Sequence, residues 1–306
     1  MPEEHVHDLD ASTVTDAVLE QLARTPDPRM RAVMSAAVRH MHAFAREVSL
    51  TPAEWLAAIG FLTEVGKACT PVRQEFILLS DVLGLSALVN ILHDDQAAEL
   101  GTQSSLLGPF FREGSPQLAL GDKIVSEHTA PEIVVYGRVT DMEGRGIAGA
   151  TVAVWQTDDE GAYDLQKNGG GAMDMRGDFR TDADGNYHFR TVRPLGYSIP
   201  MDGPVGRLVH SQQRHGFRPS HIHFLIGAPG CRELVTALYF GDDENIASDT
   251  VFGVSRALVV QARADDPEAP IEGIGAVRYD FQLARAANDG AGRVGADPSA
   301  FMPAAE

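Results

Sequence analysis

RPSHIHF, residues 218–224, places two histidines one residue apart in an apolar run, with an arginine three residues before the first. On a β-strand, residues two apart point to the same face. His221 and His223 could therefore aim at one ion if this stretch is a strand. The same spacing at His40 and His42 falls in a predicted helix, where such residues diverge. His5 and His7 repeat it with no supporting scaffold around them.

The surrounding sequence favours the strand. EIVVYGRVTD (132–141), ATVAVWQTD (150–158), GNYHFRTV (185–192), SHIHFLIG (220–227), ELVTALYF (233–240) and SRALVVQA (255–262) are short, β-branched or alternating runs. EGRGIAG, DDEG, DADG, APG and GDD separate them as turn signals. Strands at this spacing predict an antiparallel β-sandwich or barrel, and the sandwich is the expected one. DADG at 182–185 superficially resembles a calcium loop, but its glycine comes too early and Arg193 stands where the loop's closing glutamate belongs. It reads as a hairpin turn.

Upstream, the texture is helical. STVTDAVLEQLA (12–23) opens with the capping types Ser12 and Thr13, and TPAEWLAAIGFLTEVGKA (51–68) with Thr51, Pro52 and Glu54. VRQEFILLSDVLGLSALVNIL (72–92) continues with apolar residues at helical spacing. The expected fold class is α+β. Residues 1–105 form a helical domain, 106–130 a linker and pocket loop, 131–285 the β-sandwich and 286–306 a tail.

The net charge of −18, with 43 acidic against 25 basic residues, opposes nucleic-acid binding. No apolar run reaches the roughly 18 residues needed to span a membrane, and the acidic start, MPEEHVHDLD, lacks the pattern of a signal peptide. A cytoplasmic address is expected. Cys69 and Cys231 suit neither a disulfide framework nor a thiolate metal site and read as small core residues. A metal here must use nitrogen and oxygen donors.

Two imidazoles underfill such a site. Tyr163 and Tyr197 are candidate partners because each sits at a strand end beside turn-forming residues. Taken singly, each of the four reads first as a packed core or rim residue. Phenolate is a hard anionic donor whose formation near neutral pH needs a strongly charged cation close by. A set of two tyrosines and two histidines therefore suits Fe(III) better than Zn(II) or Cu(II), and Fe(II) oxygenases instead add a carboxylate.

WQTDDEGAYDLQ (155–166), RTDADGNYHFRTVRPLGYSIPMDGPVG (180–206), RHGFRPSHIHFLIGAPG (214–230) and SDTVFGV (248–254) occur in this order. With them the chain, from about residue 10 to 262, resembles the intradiol ring-cleaving dioxygenases. These are non-haem Fe(III) enzymes that open catechol-type rings between the two hydroxyls. YDLQ (163–166), EFILLSDVLG (75–84) and LLGPFF (106–111) look most like the hydroxyquinol 1,2-dioxygenases. The resemblance implies one Fe(III) per subunit, with Tyr163, Tyr197, His221 and His223 as ligands, Tyr197 also acting as a base, and Arg218 facing the ring. It implies pocket walls at Leu78, Leu106, Leu107, Gly108, Pro109, Phe110, Ile199, Pro200 and Val251. It also implies a homodimer through the N-terminal helices, with a lipid at that interface. Substrates would be a small aromatic diol or triol and O₂. Asp81 either lies on the wet face of its helix or, three residues after Leu78 and so on the same helix face, meets a third ring hydroxyl. One departure is Ala237, where catechol-cleaving relatives carry Gln and hydroxyquinol relatives often His. Catechol or chlorocatechol cleavage, a zinc hydrolase and a non-catalytic metal-binding sandwich are the competing readings.

Overall fold

Caps set where the helices begin. In the computed structural model, which describes residues 9–70, 73–95, 101–126, 128–167 and 171–286, α1 spans Val14–Leu22, α2 Pro28–Glu47 and α3 Pro52–Ala68. Asp27 accepts the Met30 amide with Pro28 at the first helical position, so α2 starts with two signals at once. Thr51 and Glu54 form a reciprocal capping box at α3: the Thr51 amide donates to Glu54 Oε2 at 2.9 Å, and the Glu54 amide to Thr51 Oγ1 at 3.3 Å. At α1 the expected caps are not the ones used. Asp10 Oδ1 gathers the amides of Ser12 and Thr13 at 2.8 and 2.9 Å, because a carboxylate is the stronger acceptor. His40 and His42 lie on α2, as the helical periodicity requires. His5, His7 and the tail from residue 287 onward lie outside the described residues.

One compact unit ends at Leu62 and a second begins at Thr63. The short helices α4 (Glu75–Val82) and α5 (Leu85–Asp95) fall in the second unit with all the strands. Among the described residues no single helix is long and apolar enough to cross a membrane.

Two sheets face each other across the core of the second unit. The first is built on β1 (Glu132–Thr140), which pairs antiparallel with β4 (Asn186–Val192) and parallel with β10 (Gly275–Arg278) and β11 (Phe281–Gln282). The second runs β3 (Arg176–Arg180), β2 (Thr151–Gln156), β7 (His221–Gly227), β8 (Leu234–Phe240) and β9 (Val259–Val260). Three pairings are parallel, a departure from a wholly antiparallel sandwich; the late strands return over long connections instead of hairpins. DADG is likewise a corner, not a hairpin, since β3 and β4 belong to different sheets. Asp182 Oδ1 closes that corner by accepting the amides of Asp184 and Asn186 at 2.9 and 2.8 Å.

The inner faces interdigitate as one cluster. Val135, Phe189, Val277 and Phe281 come from the first sheet; Val152, Phe179, Phe224 and Leu238 come from the second. Each such side chain contributes roughly 1.5–3 kcal/mol on burial. Cys69 and Cys231 are free and half-buried; Cys231 packs against the sandwich core, whereas Cys69 sits just past the end of α3.

Candidate active site

Strand alternation splits β7 cleanly. Ile222, Phe224 and Ile226 enter the sandwich core, so His221 and His223 must point to the other side of the sheet. The neighbours in register bring Trp155 and Ala237 beside His223, and Tyr239 beside His221. Trp155 lies flat on the His223 ring, with centroids 4.9 Å apart and planes within 3°. That outer face is not wet. Both histidines, Trp155 and Tyr239 are at most 2% exposed.

The loops covering this face carry the remaining candidates. The segment after β2 turns on Asp158, whose Oδ1 accepts the amides of Glu160 and Ala162, and delivers Tyr163 just before the short helix α6 (Asp164–Lys167). Tyr197 lies on β5 (Tyr197–Ser198), paired with β6 (Phe217–Arg218) so that Tyr197 and Arg218 are register partners. Phe110 stacks on Tyr163 at 4.3 Å and meets Tyr197 edge-on at 6.0 Å. Asp164 pairs with Arg176 and with Arg112, and Arg176 also donates to the Phe110 carbonyl, which ties the 106–112 loop to the Tyr163 segment.

The donor atoms converge. Tyr163 Oη is 3.4 Å from His221 Nε2, and His221 Nε2 is 3.1 Å from His223 Nε2. The Tyr163 and Tyr197 rings are 5.5 Å apart at 89°. His221 Nδ1 lies 2.6 Å from the Pro219 carbonyl, which can only accept, so Nδ1 carries the proton and Nε2 offers a lone pair. Burial pushes both histidines well below the ordinary imidazole value, which keeps them in the neutral form that binds metals. Burial also pushes the Tyr163 phenol well above its ordinary value, and the Tyr197 phenol upward. These phenols would ionise only beside a strong cation. Two neutral imidazoles and two phenols with no carboxylate among them fit a hard, highly charged ion. Among the described residues no cluster of three or more His, Cys, Asp or Glu side chains could hold a metal.

Arg218 reaches the same point: its Nη1 is 3.2 Å from His221 Nε2. Burial opposes its charge, but Asp249 together with the neighbouring Tyr197 and Tyr239 oxygens outweighs it, so the guanidinium stays charged. Asp81 is 5% exposed on α4 with Leu78, also 5% exposed, and so does not lie on a wet helix face. Burial holds its carboxyl above the ordinary range, although the Ser86 hydroxyl and the Arg218 charge pull the other way.

Of the remaining candidates, Leu106, Ile199 and Val251 are buried, while Leu107, Gly108, Pro109 and Pro200 are partly covered. The main chain at Gly108 passes the His223 ring, since a Cβ there would stand 3.5 Å from Nε2. Sequence reasoning missed Trp155, Tyr239, Asp249 and the Asp164–Arg176 pair. Trp155 and Tyr239 were discoverable from the period-2 register; the two ion pairs were not, because their partners are 12 and 31 residues apart in the chain. A surface hollow of about 620 Å³ lies elsewhere, lined by Tyr136, Arg138, His188 and Arg278, and contains none of the converging donors.

The β-sandwich thus buries two phenols and two imidazoles beside a charged arginine. Residues 107–285 match the family described as Dioxygenase, and residues 27–101 the one described as Catechol dioxygenase N terminus. The chain belongs to the intradiol ring-cleavage dioxygenases. It is 44% identical to 6-chlorohydroxyquinol 1,2-dioxygenase of Cupriavidus pinatubonensis, over 83% of this chain and 92% of that protein. The solved hydroxyquinol 1,2-dioxygenase of Pseudomonas putida matches with a TM-score of 0.82 at 39% identity, covering 90% of this chain and 99% of that one. The catechol 1,2-dioxygenase of Acinetobacter radioresistens matches with a TM-score of 0.78 at 26% identity, covering 92% and 95%.

The buried Asp81 carboxyl gives a pH test. Its folded value is raised above 3.8, so ionisation penalises the folded state. The penalty is absent below the unfolded value, grows as pH rises through it, and is complete above the folded value. In metal-free protein, Asp81→Asn should therefore gain more thermal stability over wild type at about pH 8 than at about pH 4. An equal gain at both would show that burial does not act on this carboxyl.

Proposed function

We propose that this protein cleaves hydroxyquinol (benzene-1,2,4-triol) between its two adjacent hydroxyls, using O₂ and one non-haem Fe(III) held by Tyr163, Tyr197, His221 and His223. The product would be 3-hydroxy-cis,cis-muconate, the tautomer of maleylacetate. Both oxygen atoms enter the product as the ring C–C bond breaks. The observation that carries this reading is the buried convergence of two phenols and two neutral imidazoles beside Arg218. Relatives named for hydroxyquinol and its chlorinated form add weight.

When bound, Fe(III) would supply the positive charge that ionises the phenols and would draw electron density from a chelated substrate. The protein's own part is positional. Tyr197 Oη accepts one of the protons released by the adjacent hydroxyls; its phenol, pushed upward by burial, is a competent base once ionised. Arg218 Nη1 faces the ring oxygens and stabilises negative charge developing there. Phe110 and the 106–112 loop cover Tyr163 and exclude water. Asp81 accepts a hydrogen bond from the third hydroxyl, the one that separates a triol from catechol. Leu78 packs on the same helix face.

The N-terminal helices have a separate role in this reading. Met41, Phe44, Trp55, Leu56 and Ile59 are exposed on α2 and α3, each at least 45%. Such a run of apolar surface marks an interaction site. We assign it to a homodimer, with a lipid chain filling part of the interface. The purified protein should sediment as a dimer, and Leu56→Glu with Ile59→Glu should shift it to monomer; a monomeric wild type would remove this assignment.

Colour tests the metal. Phenolate bound to Fe(III) absorbs in the visible, so iron-loaded protein should be red and should convert the triol to a muconate. A colourless protein loaded with zinc, or turnover of catechol in preference to the triol, would sink the reading.

Asp81 tests the substrate. A charge-assisted hydrogen bond contributes about 1.5–3 kcal/mol, and catechol has no third hydroxyl to make it. Asp81→Ala should reduce the ratio of kcat/KM for hydroxyquinol over catechol by about tenfold or more. An unchanged ratio would remove the triol-recognition role.

A further inference from the structure

Arg218 is 2% exposed, and its environment fixes more than its charge. Its Nε donates to Asp249 Oδ1 at 3.1 Å, and Nη2 donates to Asp249 Oδ2 at 3.3 Å and to Tyr239 Oη at 3.2 Å. One edge of the guanidinium is thus held from behind, and Nη1 is the nitrogen left facing His221 Nε2. The direction of the supporting hydrogen bonds can be worked out. Ser105 Oγ donates its single hydrogen to the Gly253 carbonyl at 3.0 Å. The 2.8 Å contact between Tyr239 and Ser105 must then have Tyr239 donating, which leaves the Tyr239 oxygen free to accept from Arg218. The chain runs one way, from guanidinium to phenol to hydroxyl to carbonyl.

Asp249 also organises the loop that follows it. Its Oδ2 accepts the Gly253 amide at 2.9 Å, and its Oδ1 the Val251 amide at 3.4 Å. Gly253 is where the parts meet: a Cβ there would stand 2.6 Å from Tyr239 Oη and 2.9 Å from Arg218 Nη2. Asp249 is 7% exposed and Tyr239 is fully buried, so neither is a surface residue that found a partner by chance.

We propose that Asp249 and Tyr239 are positioning residues for the ring-cleaving reaction, holding the Arg218 guanidinium so that Nη1 points at the substrate's oxygen atoms. This rests on the intradiol reading of the site. Ala237, beside His223 on the same strand as Tyr239, has no polar side-chain atom for that task. A planar guanidinium gripped along one edge keeps its orientation as the ring changes charge, so the stabilisation needs no reorganisation.

The test is a set of cycles in iron-loaded enzyme. Asp249→Asn should lower kcat about tenfold and Tyr239→Phe roughly threefold, with KM changed less than kcat and with wild-type iron content and visible band. In an Arg218→Met background, each of the two should cause no further loss of residual kcat, since the group they position is gone. A merely structural role would reduce activity by the same factor in both backgrounds, and that result overturns the proposal. So does wild-type kcat in both single variants. If Asp249→Asn does not fold, the Tyr239→Phe cycle decides alone. A second readout needs no metal: in apo protein Asp249→Asn should lower Tm, and Arg218→Met added to it should restore part of the loss by removing the unpaired charge. A further drop in the double variant would deny the pairing. A colourless wild type inactive on triols overturns the functional reading, whereas a red, active wild type with insensitive Asp249 and Tyr239 overturns only this inference.

Discussion

The period of two along β7 is the constraint on which the rest of the site depends. One face of this strand must fill the sandwich, and Ile222, Phe224 and Ile226 do so. The opposite face is then committed to whatever side chains alternate with them. Two of those are imidazoles, and they are anchored by the same packing that stabilises the fold. A one-residue slip would turn His221 and His223 into the core and the aliphatic set into the site, so the core enforces the register of the site.

Burial of that outer face sets its chemistry. Removing water lowers the imidazole values and raises the phenol values, so without a cation these four side chains are neutral. A strong cation reverses the balance for the phenols without needing a carboxylate ligand. The Arg218 guanidinium is tolerated in this pocket because Asp249 accompanies it, as an isolated charge at that depth would be far too costly. Asp81, close enough to feel both charges, has no comparable partner of its own, and burial dominates its ionisation. An acid left in that state is suited to a ligand that brings its own donor.

Much of this was legible in the sequence because it follows from local rules. The alternation in SHIHFLIG placed both histidines on one face, helical periodicity excluded His40 and His42, and the capping box of Thr51 and Glu54 marked α3. The turn residues around Tyr163 and Tyr197 marked these tyrosines as strand-end residues. Local rules also misled in places. Ser12 and Thr13 read as caps, but Asp10 does the work, and DADG read as a hairpin although it turns a corner between sheets.

What the sequence determined by itself was the list of chemically able side chains and the face each takes on its own strand or helix, because periodicity is a property of a few consecutive residues. What only the tertiary structure decided was which of them meet. The Arg218 clamp joins residues from β6, β8 and a later loop, and the Tyr163 loop is tied down by Arg176 across 12 residues. The burial of Asp81 depends on what packs against α4. Such pairings are fixed by the closing of two sheets and their loops over one face, a sum of many distant contacts that no short stretch of sequence contains.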